Sequence, residues 1–364
     1  MASILEFSGF IDVHVHFRDP GMPEAETTAS GLAAAEKGGF ALVVTMPNTS
    51  PAGDSVAWVK ANLAARSANG TRIIPSACIT KGRLGREVAD LENLAEAGAA
   101  FFTDDGSYVA DDRVMEEAMF RAKALGMAIC EHAMDPAELK GGVIRDCPLA
   151  RKLGLPVISV ETETKAIERD LSICRTTGCR LHIQHISTAR GVELVRGAQK
   201  EGLLVTAEAT PHHLLFSCEE LTADDANFKM APPLGNGEDR SELRKAVKEG
   251  ALMFATDHAP HPAAAKSHGF ARSANGILGL ETAIPATYRA MVEEEGMPID
   301  AWARAWSEMP RAIIRGDIGE LPPTCVIIGE RRMVNGGSFA SLSRNSPYGS
   351  MVFDCWPEAR RKGG

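Results

Sequence analysis

Two histidines lie one residue apart in the segment IDVHVHFRDPG, and an arginine follows at the same spacing. Alternate residues of a β-strand point to one face, so a strand here would direct the side chains of His14, His16 and Arg18 the same way. Imidazoles are common ligands of zinc and similar divalent ions, and a guanidinium can bind a carboxylate through two parallel hydrogen bonds. The segment therefore predicts a metal-binding pair beside an anion-binding group. The alternatives are two hydrogen-bonded core histidines and an ion pair of Arg18 with Asp19 or with a neighbouring helix.

Other residues that could bind a metal lie at the ends of later apolar runs. His132 lies in AICEHA, His185 in RLHIQHIS and Asp257 in ALMFATDH, each near the end of its run. If these runs are parallel strands of a barrel, their carboxyl ends surround one mouth, which is where such barrels place their active sites. Imidazoles and a carboxylate gathered there predict a metal site shared with His14 and His16.

Three further histidines near strand ends are not assigned to the metal. His182 lies three residues before His185 and on the opposite strand face, so we interpret it as structural. His212 and His213 end another run, and we expect them to pack or to support the ligands rather than to bind the ion.

Eight strand-like apolar runs alternate with helix-like stretches and would have to position these groups. The runs are 9–17, 41–48, 72–80, 99–105, 128–133, 180–187, 204–213 and 251–258. The helix-like stretches include 28–38 and 111–125, the second with Asp111 or Asp112 as its N-cap. This alternation indicates an α/β fold with parallel strands and crossover helices, and eight strands predict a closed (β/α)8 TIM barrel. An open doubly wound sheet is the alternative, but it would spread the reactive strand ends along a line.

The last part of the chain departs from the barrel pattern. From about residue 322 it is rich in Gly and Ser, with short strand-like pieces. We therefore expect the barrel to occupy 8–320 and an accessory β-type segment to occupy 321–364.

Composition and charge exclude several classes of protein. The chain has 364 residues, 45% of them hydrophobic, and a formal net charge of −9 at pH 7, which argues against a nucleic-acid-binding surface. No apolar run approaches the roughly 18 residues of a membrane span, and the N-terminus lacks the pattern of a signal peptide. Eight scattered cysteines without a CxxC pair are expected to be reduced thiols of a cytoplasmic protein.

Several motifs between residues 8 and 320 resemble those of the cyclic amidohydrolases. They are DVHVHFRDPG, MPNT at 46–49, FTDDG at 102–106, EH at 131–132, HIST at 185–188, PHHL at 211–214, APPLG at 231–235, TDHAPH at 256–261 and NGILGLETA at 275–283. Within that group the chain is most similar to the dihydroorotases of the larger, bacterial and multienzyme type. Hydantoinases and dihydropyrimidinases share the metal histidines but usually lack the arginine after HxH, which here is Arg18.

The resemblance implies a zinc-dependent hydrolase of cyclic amides that interconverts N-carbamoyl-L-aspartate and L-dihydroorotate in pyrimidine (UMP) biosynthesis. It implies two zinc ions per chain, which would activate water and polarise the amide carbonyl. One ion would bind His14, His16 and Asp257, and the other would bind His132 and His185. Asp257 would also accept a proton from the attacking water and return it to the leaving nitrogen.

The bridge between the two ions departs from the common pattern. Many amidohydrolases use a carboxylated lysine at the end of strand four, where this chain has Phe102-Thr103-Asp104-Asp105 and no lysine. Some dihydroorotases with the same DDG motif bridge the ions with an aspartate. We expect Asp105 rather than Asp104, because Asp105 shares strand parity with Thr103, which occupies the place of the lysine. If neither bridges, the site would hold one tightly bound metal.

The resemblance also implies which residues contact the substrate. Arg18 would bind its free carboxylate together with Asn48 of the MPNT motif, and His261 would touch the substrate. The glycine-rich loop from Asn275 to Gly279 would present backbone groups to the pyrimidine edge, since glycines permit close approach.

Two departures from the family pattern keep other functions open. Many relatives have an asparagine at the position of Ala231 that helps to bind the substrate carboxylate, which alanine cannot do. Many also have a longer β-rich segment before HxH, so the flanking β-sandwich is expected to be reduced or missing. The alternatives are another cyclic-amide hydrolase, such as an allantoinase or a hydantoinase, and a non-catalytic scaffold for aspartate transcarbamoylase. An active enzyme would act on its small-molecule substrate as a homodimer or in a complex with that transcarbamoylase, without nucleic-acid or membrane partners.

Overall fold

Ten β-strands in three sheets organise the part of the chain that the computed structural model describes, residues 2–67 and 70–358. The strands are β1 (Ser3–Phe7), β2 (Phe10–Val15), β3 (Phe40–Thr45), β4 (Arg72–Pro75), β5 (Ala128–Glu131), β6 (Arg180–Ile183), β7 (Val205–Ala209), β8 (Met253–Phe254), β9 (Thr324–Met333) and β10 (Val352–Pro357). Two sheets are parallel, with the orders β2-β3-β4 and β5-β6-β7-β8, and the third is antiparallel, with the order β1-β9-β10. The predicted α/β fold with parallel strands is therefore confirmed.

Fourteen α-helices lie among the described residues, mostly in the connections between parallel strands. They are α1 (Thr28–Lys37), α2 (Val56–Ala64), α3 (Leu91–Ala97), α4 (Asp112–Ala124), α5 (Pro136–Leu139), α6 (Pro148–Leu153), α7 (Glu161–Thr177), α8 (Ala189–Lys200), α9 (Pro211–Leu215), α10 (Gly237–Lys248), α11 (Gly269–Arg272), α12 (Ala283–Thr287), α13 (Ile299–Trp306) and α14 (Glu308–Arg311). The predicted helices 28–38 and 111–125 correspond to α1 and α4, and Asp111 is the N-cap of α4, accepting a hydrogen bond from the backbone N–H of Arg113 (2.9 Å). None of the described helices has the length and apolar composition needed to cross a membrane.

Single backbone bridges join the two parallel sheets at both of their edges. Val15 at the end of β2 bridges to His258, which follows β8. At the other edge, Phe102 bridges to Ala77 beyond β4 and to Ile129 of β5. The strand order therefore continues from one parallel sheet into the other at each side.

The predicted strand 99–105 is reduced to the bridges of Phe102. Just beyond it, the carboxylate of Asp104 accepts hydrogen bonds from the backbone N–H groups of Ile79 (2.9 Å) and Thr80 (3.1 Å). A side chain thus takes the place of further hydrogen bonds between neighbouring backbones. Backbone hydrogen bonds from Ala100 to Pro75 (2.8 Å) and from Thr103 to Ala77 (2.9 Å) still join the run to its neighbour, but it does not form a regular strand.

Both faces of the parallel strands are buried. Every residue of β2 and β3 is buried, as is typical of parallel strands that are covered on both faces. Ile11 and Val13 of β2 belong to one apolar cluster, which Ile313, Ile314 and Ile318 complete from the segment after α14. Phe10 and Val15 of the same strand belong to a second, larger cluster that includes residues of the helices. Packing on two sides fixes the strands and so positions the side chains that follow their carboxyl ends.

The antiparallel sheet brings the two described ends of the chain together. β9 lies between β1 and β10, with Ser3 paired to Ile328 and Trp356 paired to Ile327. The segment predicted to be β-type, 321–364, supplies β9 and β10, and its residues 359–364 lie outside the described residues. The sequence pattern does not predict β1.

Candidate metal centre and substrate cavity

The two histidines of the HxH motif lie side by side at the carboxyl end of β2. Their ring centroids are 5.2 Å apart, and His14 is fully buried while His16 is 5% exposed. The Nε2 atoms of both rings face the same carboxylate, since Asp257 Oδ1 lies 3.5 Å from His14 and 2.9 Å from His16. The structure thus places both rings on one face, as their spacing predicts.

A second pair of histidines follows the neighbouring strands β5 and β6. Nδ1 of His132 lies 2.8 Å from Nε2 of His185, and the ring centroids are 4.7 Å apart. Both side chains are nearly buried. The strand ends therefore bring together the four histidines that the sequence assigns to the metal.

Asp105 lies between the two histidine pairs. Its Oδ1 is 3.3 Å from His14 Nε2 and 3.3 Å from His132 Nδ1. The same oxygen is 3.6 Å from His185 Nε2, and Oδ2 is 3.4 Å from His16 Nε2. As a result, Asp105 belongs to two groups of three residues, and within each group the three ligand atoms lie within 4.8 Å of one another.

The atoms that meet at this centre fit a divalent cation. His14 Nε2 and Asp105 Oδ1 are buried and have no hydrogen-bond partner among the described residues. An unpaired buried polar atom costs about 1–3 kcal/mol, and a cation bound between the two would satisfy both. Imidazole nitrogen and carboxylate oxygen are the donors that zinc and similar ions take. Asp104, whose carboxylate binds the backbone at 79–80, belongs to neither ligand group.

Both carboxylates of the centre are held ionised. Burial alone would raise the pKa of Asp257, but the hydrogen bond with His16 and the charge of His14 outweigh it and lower that pKa. Burial likewise opposes the ionised form of Asp105, but His14 and His16 lower its pKa well below the usual range. A cation bound between the two histidine pairs would take the place of these imidazolium charges, and it would favour the ionised carboxylates in the same way.

Two residues of the centre have backbone in the left-handed region. His185 has φ +35° and Asp257 has φ +49°. Such backbone costs of order 1–3 kcal/mol in a non-glycine residue and persists where the surroundings hold it. Glu163 accepts a hydrogen bond from the N–H of Ser187 (2.9 Å). Asp12 accepts one from the N–H of Thr256, the residue before Asp257 (3.0 Å). Buried carboxylates therefore hold both turns in place.

Sequence reasoning missed one buried carboxylate behind the centre, Glu208 of β7. Its Oε1 lies 2.5 Å from His14 Nδ1, and its Oε2 lies 2.9 Å from His182 Nε2. Nδ1 of His182 in turn contacts the hydroxyl of Thr206 at 2.8 Å. Burial opposes the ionised form of Glu208, but the charge of His14 lowers its pKa to about 2. Glu208 thus fixes the ring of His14 with Nε2 facing the centre, and His182 supports Glu208 rather than the ion.

We expect Glu208→Gln to weaken metal binding by about 10- to 100-fold, the range typical of a lost carboxylate partner behind a ligating histidine. The amide keeps the volume but removes the charge that orients His14. Competition with a chelator of known affinity, followed by metal analysis of the protein, measures the change. Glu193→Gln, on the exposed surface of α8, is the matched control and should leave the affinity unchanged. Equal affinities in both variants would contradict this role.

One cavity of about 240 Å³ contains both the metal centre and the residues predicted to bind substrate. Its wall includes these residues of the centre: His16, Asp105, His132, His185 and Asp257. The predicted substrate residues in the wall are Arg18, Asn48, His261 and Asn275. Ala231 and Gly276 also line it. The chain therefore brings an anion-binding group and a metal centre into contact with the same space.

Arg18 is buried at the edge of this cavity, and no carboxylate is among its contacts with the described residues. Its Nε donates to the carbonyl oxygen of Pro260 at 3.1 Å, and Nη2 lies 3.5 Å from His261 Nε2. The alternative ion pair with Asp19 is not among its contacts. Burial lowers the pKa of Arg18 to about 10, so the group stays charged at neutral pH. Its outer nitrogens are left to bind an anion.

Asn48 contacts a histidine of the centre, and His261 contacts the loop that lines the cavity. Asn48 Oδ1 accepts a hydrogen bond from Nδ1 of His16 (3.0 Å), which turns Nε2 of that ring toward the carboxylates and leaves the amide NH2 of Asn48 for another partner. Burial and the charge of Arg18 lower the pKa of His261 to about 4, so its ring is neutral. Nε2 of His261 donates to the carbonyl of Asn275 at 2.7 Å. The contact joins His261 to the loop that lines the cavity.

Gly279, which is also predicted to bind substrate, is not among the residues that line this cavity. Its N–H donates to Nδ1 of His258 (3.1 Å), and a Cβ at this position would lie 2.8 Å from the Cβ of Thr256. The glycine therefore permits close packing against the segment after β8. The loop approaches the cavity only at Asn275 and Gly276.

His212 and His213 lie outside both ligand groups. His213 contacts the hydroxyl of Thr210 (2.7 Å) and the carbonyl of Pro232 (3.1 Å) through its two ring nitrogens. His212 is fully buried, and burial lowers its pKa to about 3. His213 is thus held by hydrogen bonds, whereas neither ring nitrogen of His212 has a hydrogen-bond partner among the described residues.

Comparison with known proteins gives consistent matches. The profile of a family described as Dihydro-orotase-like matches residues 4–191. A dihydroorotase of Anoxybacillus flavithermus is 39% identical over 359 residues, covering 96% of this chain and 83% of that protein. A dihydroorotase of Bacillus caldolyticus is 40% identical over 366 residues, covering 98% of this chain and 85% of that protein.

Solved structures share the fold. An L-hydantoinase (dihydropyrimidinase) from Arthrobacter aurescens superposes with a TM-score of 0.80 at 23% identity, covering 96% of this chain and 82% of that one. A dihydroorotase from Saccharomyces cerevisiae, in complex with 5-fluoroorotic acid, superposes with a TM-score of 0.74 at 16% identity, covering 98% of both chains. Because the relatives at about 40% identity are covered over most of their length and the family profile matches half of this chain, the chain belongs to the dihydroorotase family.

Proposed function

We propose that the chain is a dihydroorotase that interconverts N-carbamoyl-L-aspartate and L-dihydroorotate in pyrimidine (UMP) biosynthesis. The observation that carries the proposal is the arrangement of Arg18, a buried charged group without a carboxylate partner, in the same cavity as the four-histidine centre. A cyclic amide with a free carboxylate would bind both. Uncharged hydantoins would leave Arg18 without a partner, which costs about 1–3 kcal/mol or more for a charged group.

We assign two zinc ions to the centre. His14, His16 and Asp257 would hold one, His132 and His185 would hold the other, and Asp105 would bridge them. The position of Asp105 between the histidine pairs supports the bridge. When bound, zinc would lower the pKa of a water toward about 7 and polarise the amide carbonyl.

The chain's own residues supply the remaining steps. Arg18 and the amide NH2 of Asn48 would bind and orient the substrate carboxylate. Asp257, held ionised, would accept the proton of the attacking water and return it to the ring nitrogen as the amide bond breaks; in the cyclising direction the same transfers run in reverse. His261 and the loop at Asn275 would contact the pyrimidine edge.

The fold proposed for this site is a (β/α)8 barrel over 8–320, with 321–364 as an accessory segment. The bridges of Val15 and Phe102, which continue the strand order from one parallel sheet to the other, support closure. In a closed barrel all the strand ends would surround one mouth, which accounts for the gathering of residues from distant parts of the chain. We also propose a cytoplasmic location, and a homodimer or a complex with aspartate transcarbamoylase as the assembled form.

The function is tested by assaying the purified, zinc-supplemented protein on L-dihydroorotate and on N-carbamoyl-L-aspartate, with metal content measured on the same sample. Turnover in both directions with about two metals per chain is the expected result. Bound metal without turnover of either compound, both alone and in the presence of aspartate transcarbamoylase, would overturn the proposal. Absence of both metal and turnover would instead favour the non-catalytic scaffold.

A second candidate function is hydrolysis of another cyclic amide, such as allantoin or a hydantoin. The observation in its favour is Ala231, which lines the cavity with an apolar methyl group where many relatives have an asparagine. Allantoin and hydantoin therefore belong in the same assay. Turnover of allantoin without turnover of dihydroorotate would favour this candidate.

We expect Arg18→Lys to raise KM for L-dihydroorotate by about 100-fold, because lysine keeps the charge but loses the planar pair of donors that grips a carboxylate. Steady-state kinetics on L-dihydroorotate and on uncharged dihydrouracil measure the effect. The uncharged ring should show no such increase, since it offers no carboxylate to Arg18. Arg190→Lys, on the exposed surface of α8, is the control. Equal effects on both rings would show that Arg18 acts on folding and not on the carboxylate.

A further inference from the structure

The C-terminal segment contacts residues that line the substrate cavity through Asn345. This side chain is 4% exposed. Its Nδ2 donates to the carbonyl oxygens of Ala259 (3.0 Å) and Gly276 (3.1 Å), and its Oδ1 accepts from the N–H of His261 (3.1 Å). Its own carbonyl accepts from the N–H of Leu278 (2.9 Å). One residue thus makes four hydrogen bonds to two separate stretches of chain.

Those two stretches carry the groups proposed to meet the substrate. One continues from β8 to His261, and the other is the loop at Asn275 and Gly276. The two stretches are also joined by hydrogen bonds. The ring of His261 donates to the carbonyl of Asn275 (2.7 Å), and the N–H of Ala259 donates to the carbonyl of Ile277 (2.8 Å). The side chain of Asn345 therefore lies at the junction of the two walls. Its removal would leave two buried carbonyls and one N–H without this partner.

The segment that carries Asn345 has anchors of its own. The hydroxyl of Ser341 donates to Glu26 Oε2 (2.5 Å), and the hydroxyl of Ser343 donates to the carbonyl of Ala25 (2.7 Å). The N–H of Ser341 also donates to Glu281 (3.2 Å). These bonds do not depend on the side chain at position 345, so a substitution there should free the cavity walls without detaching the segment.

We propose that Asn345 is a positioning residue for substrate binding. It holds His261 and the Asn275–Gly276 loop at a fixed separation, so the C-terminal segment sets the affinity for the cyclic amide while the metal centre is formed by other parts of the chain. The substrate part of this inference rests on the function proposed above, whereas the positioning itself is a property of the fold.

Kinetics of Asn345→Ala test the proposal. We expect KM for L-dihydroorotate to rise by about 10-fold or more, kcat to change by less than about 3-fold, and metal content to stay the same, because ground-state contacts and not the reacting groups are disturbed. Asn335→Ala is the matched control, since Asn335 is an exposed asparagine of the same segment whose side chain only accepts a bond from Gly337. A loss of kcat with KM unchanged, or no change in either, would overturn the proposal.

The variant Asn345→Asp and hydrogen-exchange measurements test the proposal if Asn345→Ala does not fold or if the wild-type protein is inactive. Asn345→Asp keeps the shape of the side chain and can still accept a hydrogen bond from the N–H of His261. It places an acceptor against the carbonyls of Ala259 and Gly276, however, so the same rise in KM is expected. This variant serves as the test if the alanine variant does not fold. Amide hydrogen exchange should become faster in peptides covering 276–280 and 259–262, and should not change in β7. If the wild-type protein turns over neither substrate, the proposed function fails, and the exchange experiment still decides whether Asn345 holds the walls. Unchanged exchange in both variants would overturn the positioning role.

Discussion

Asp257→Asn should lower kcat for L-dihydroorotate by about 10³-fold or more, within the range that a positioned general acid–base contributes. The amide cannot accept the proton of the attacking water, and it cannot return one to the ring nitrogen. Asparagine keeps the volume of aspartate and an oxygen that can face His16, which lies 2.9 Å from the carboxylate. It is also, with aspartate, one of the few residues that adopt the left-handed backbone found here, φ +49°. The fold should therefore survive the change.

The measurement must separate lost proton transfer from lost metal, because Asp257 is proposed to serve both. Metal content and circular dichroism on the assayed sample do so. Asp90→Asn, at the exposed N-cap of α3, is the control and should keep full activity. If Asp257→Asn keeps its metals and more than about a tenth of its activity, the proton-transfer role is wrong.

The four histidines of the candidate metal centre could be located from sequence because their positions depend on local periodicity. Alternation along a strand puts His14 and His16 on one face and separates His182 from His185. Parallel strands gather their carboxyl ends, so residues far apart in sequence could be assigned to one centre. These inferences need only the direction and parity of each strand, which apolar runs reveal.

The groups behind the ligands could not be located in this way. Glu208 lies 194 residues from His14, and nothing in the periodicity of β7 says which ring its carboxylate meets. A signal was nevertheless present, since a charged residue inside a strand that is buried on both faces must find a partner. Sequence shows that such a partner is needed, whereas only the fold shows that the partner is His14, a proposed metal ligand.

Pairing between distant segments was likewise beyond the reach of local patterns. β1 is short and partly exposed, and it is stabilised by its pairing with β9, more than 300 residues later. Asn345 lies in a Gly- and Ser-rich stretch whose composition predicts little beyond turns, yet its side chain joins two walls of the cavity. The run at 99–105 shows the converse, because its apolar residues predict a strand while Asp104 takes the hydrogen bonds that would extend it.

Asp105→Asn should reduce bound metal from about two ions per chain to one or none, and should lower turnover by about 10³-fold or more. Among the described residues, this carboxylate is the only group present in both sets of ligand atoms, so both proposed ions would need its charge. An amide offers one weakly basic oxygen and a pair of donors, and the donors would face imidazole nitrogens at 3.3–3.6 Å that themselves need a cation. Elemental analysis after dialysis against a weak chelator gives the stoichiometry.

Asp104→Asn supplies the matched comparison, because the two aspartates are adjacent and both are buried. The carboxylate of Asp104 binds the backbone N–H groups of Ile79 and Thr80 and the hydroxyl of Thr80. One amide oxygen can keep the backbone bonds, but the NH2 group would replace an acceptor, which should cost about 1–3 kcal/mol of stability. The Asp104→Asn variant should therefore melt at a lower temperature but keep its metals. The Asp105→Asn variant should lose metal at zinc concentrations that saturate the wild-type protein. The reverse pattern would transfer the bridge to Asp104, and retention of both metals in both variants would mean that the ions share no carboxylate at this strand end.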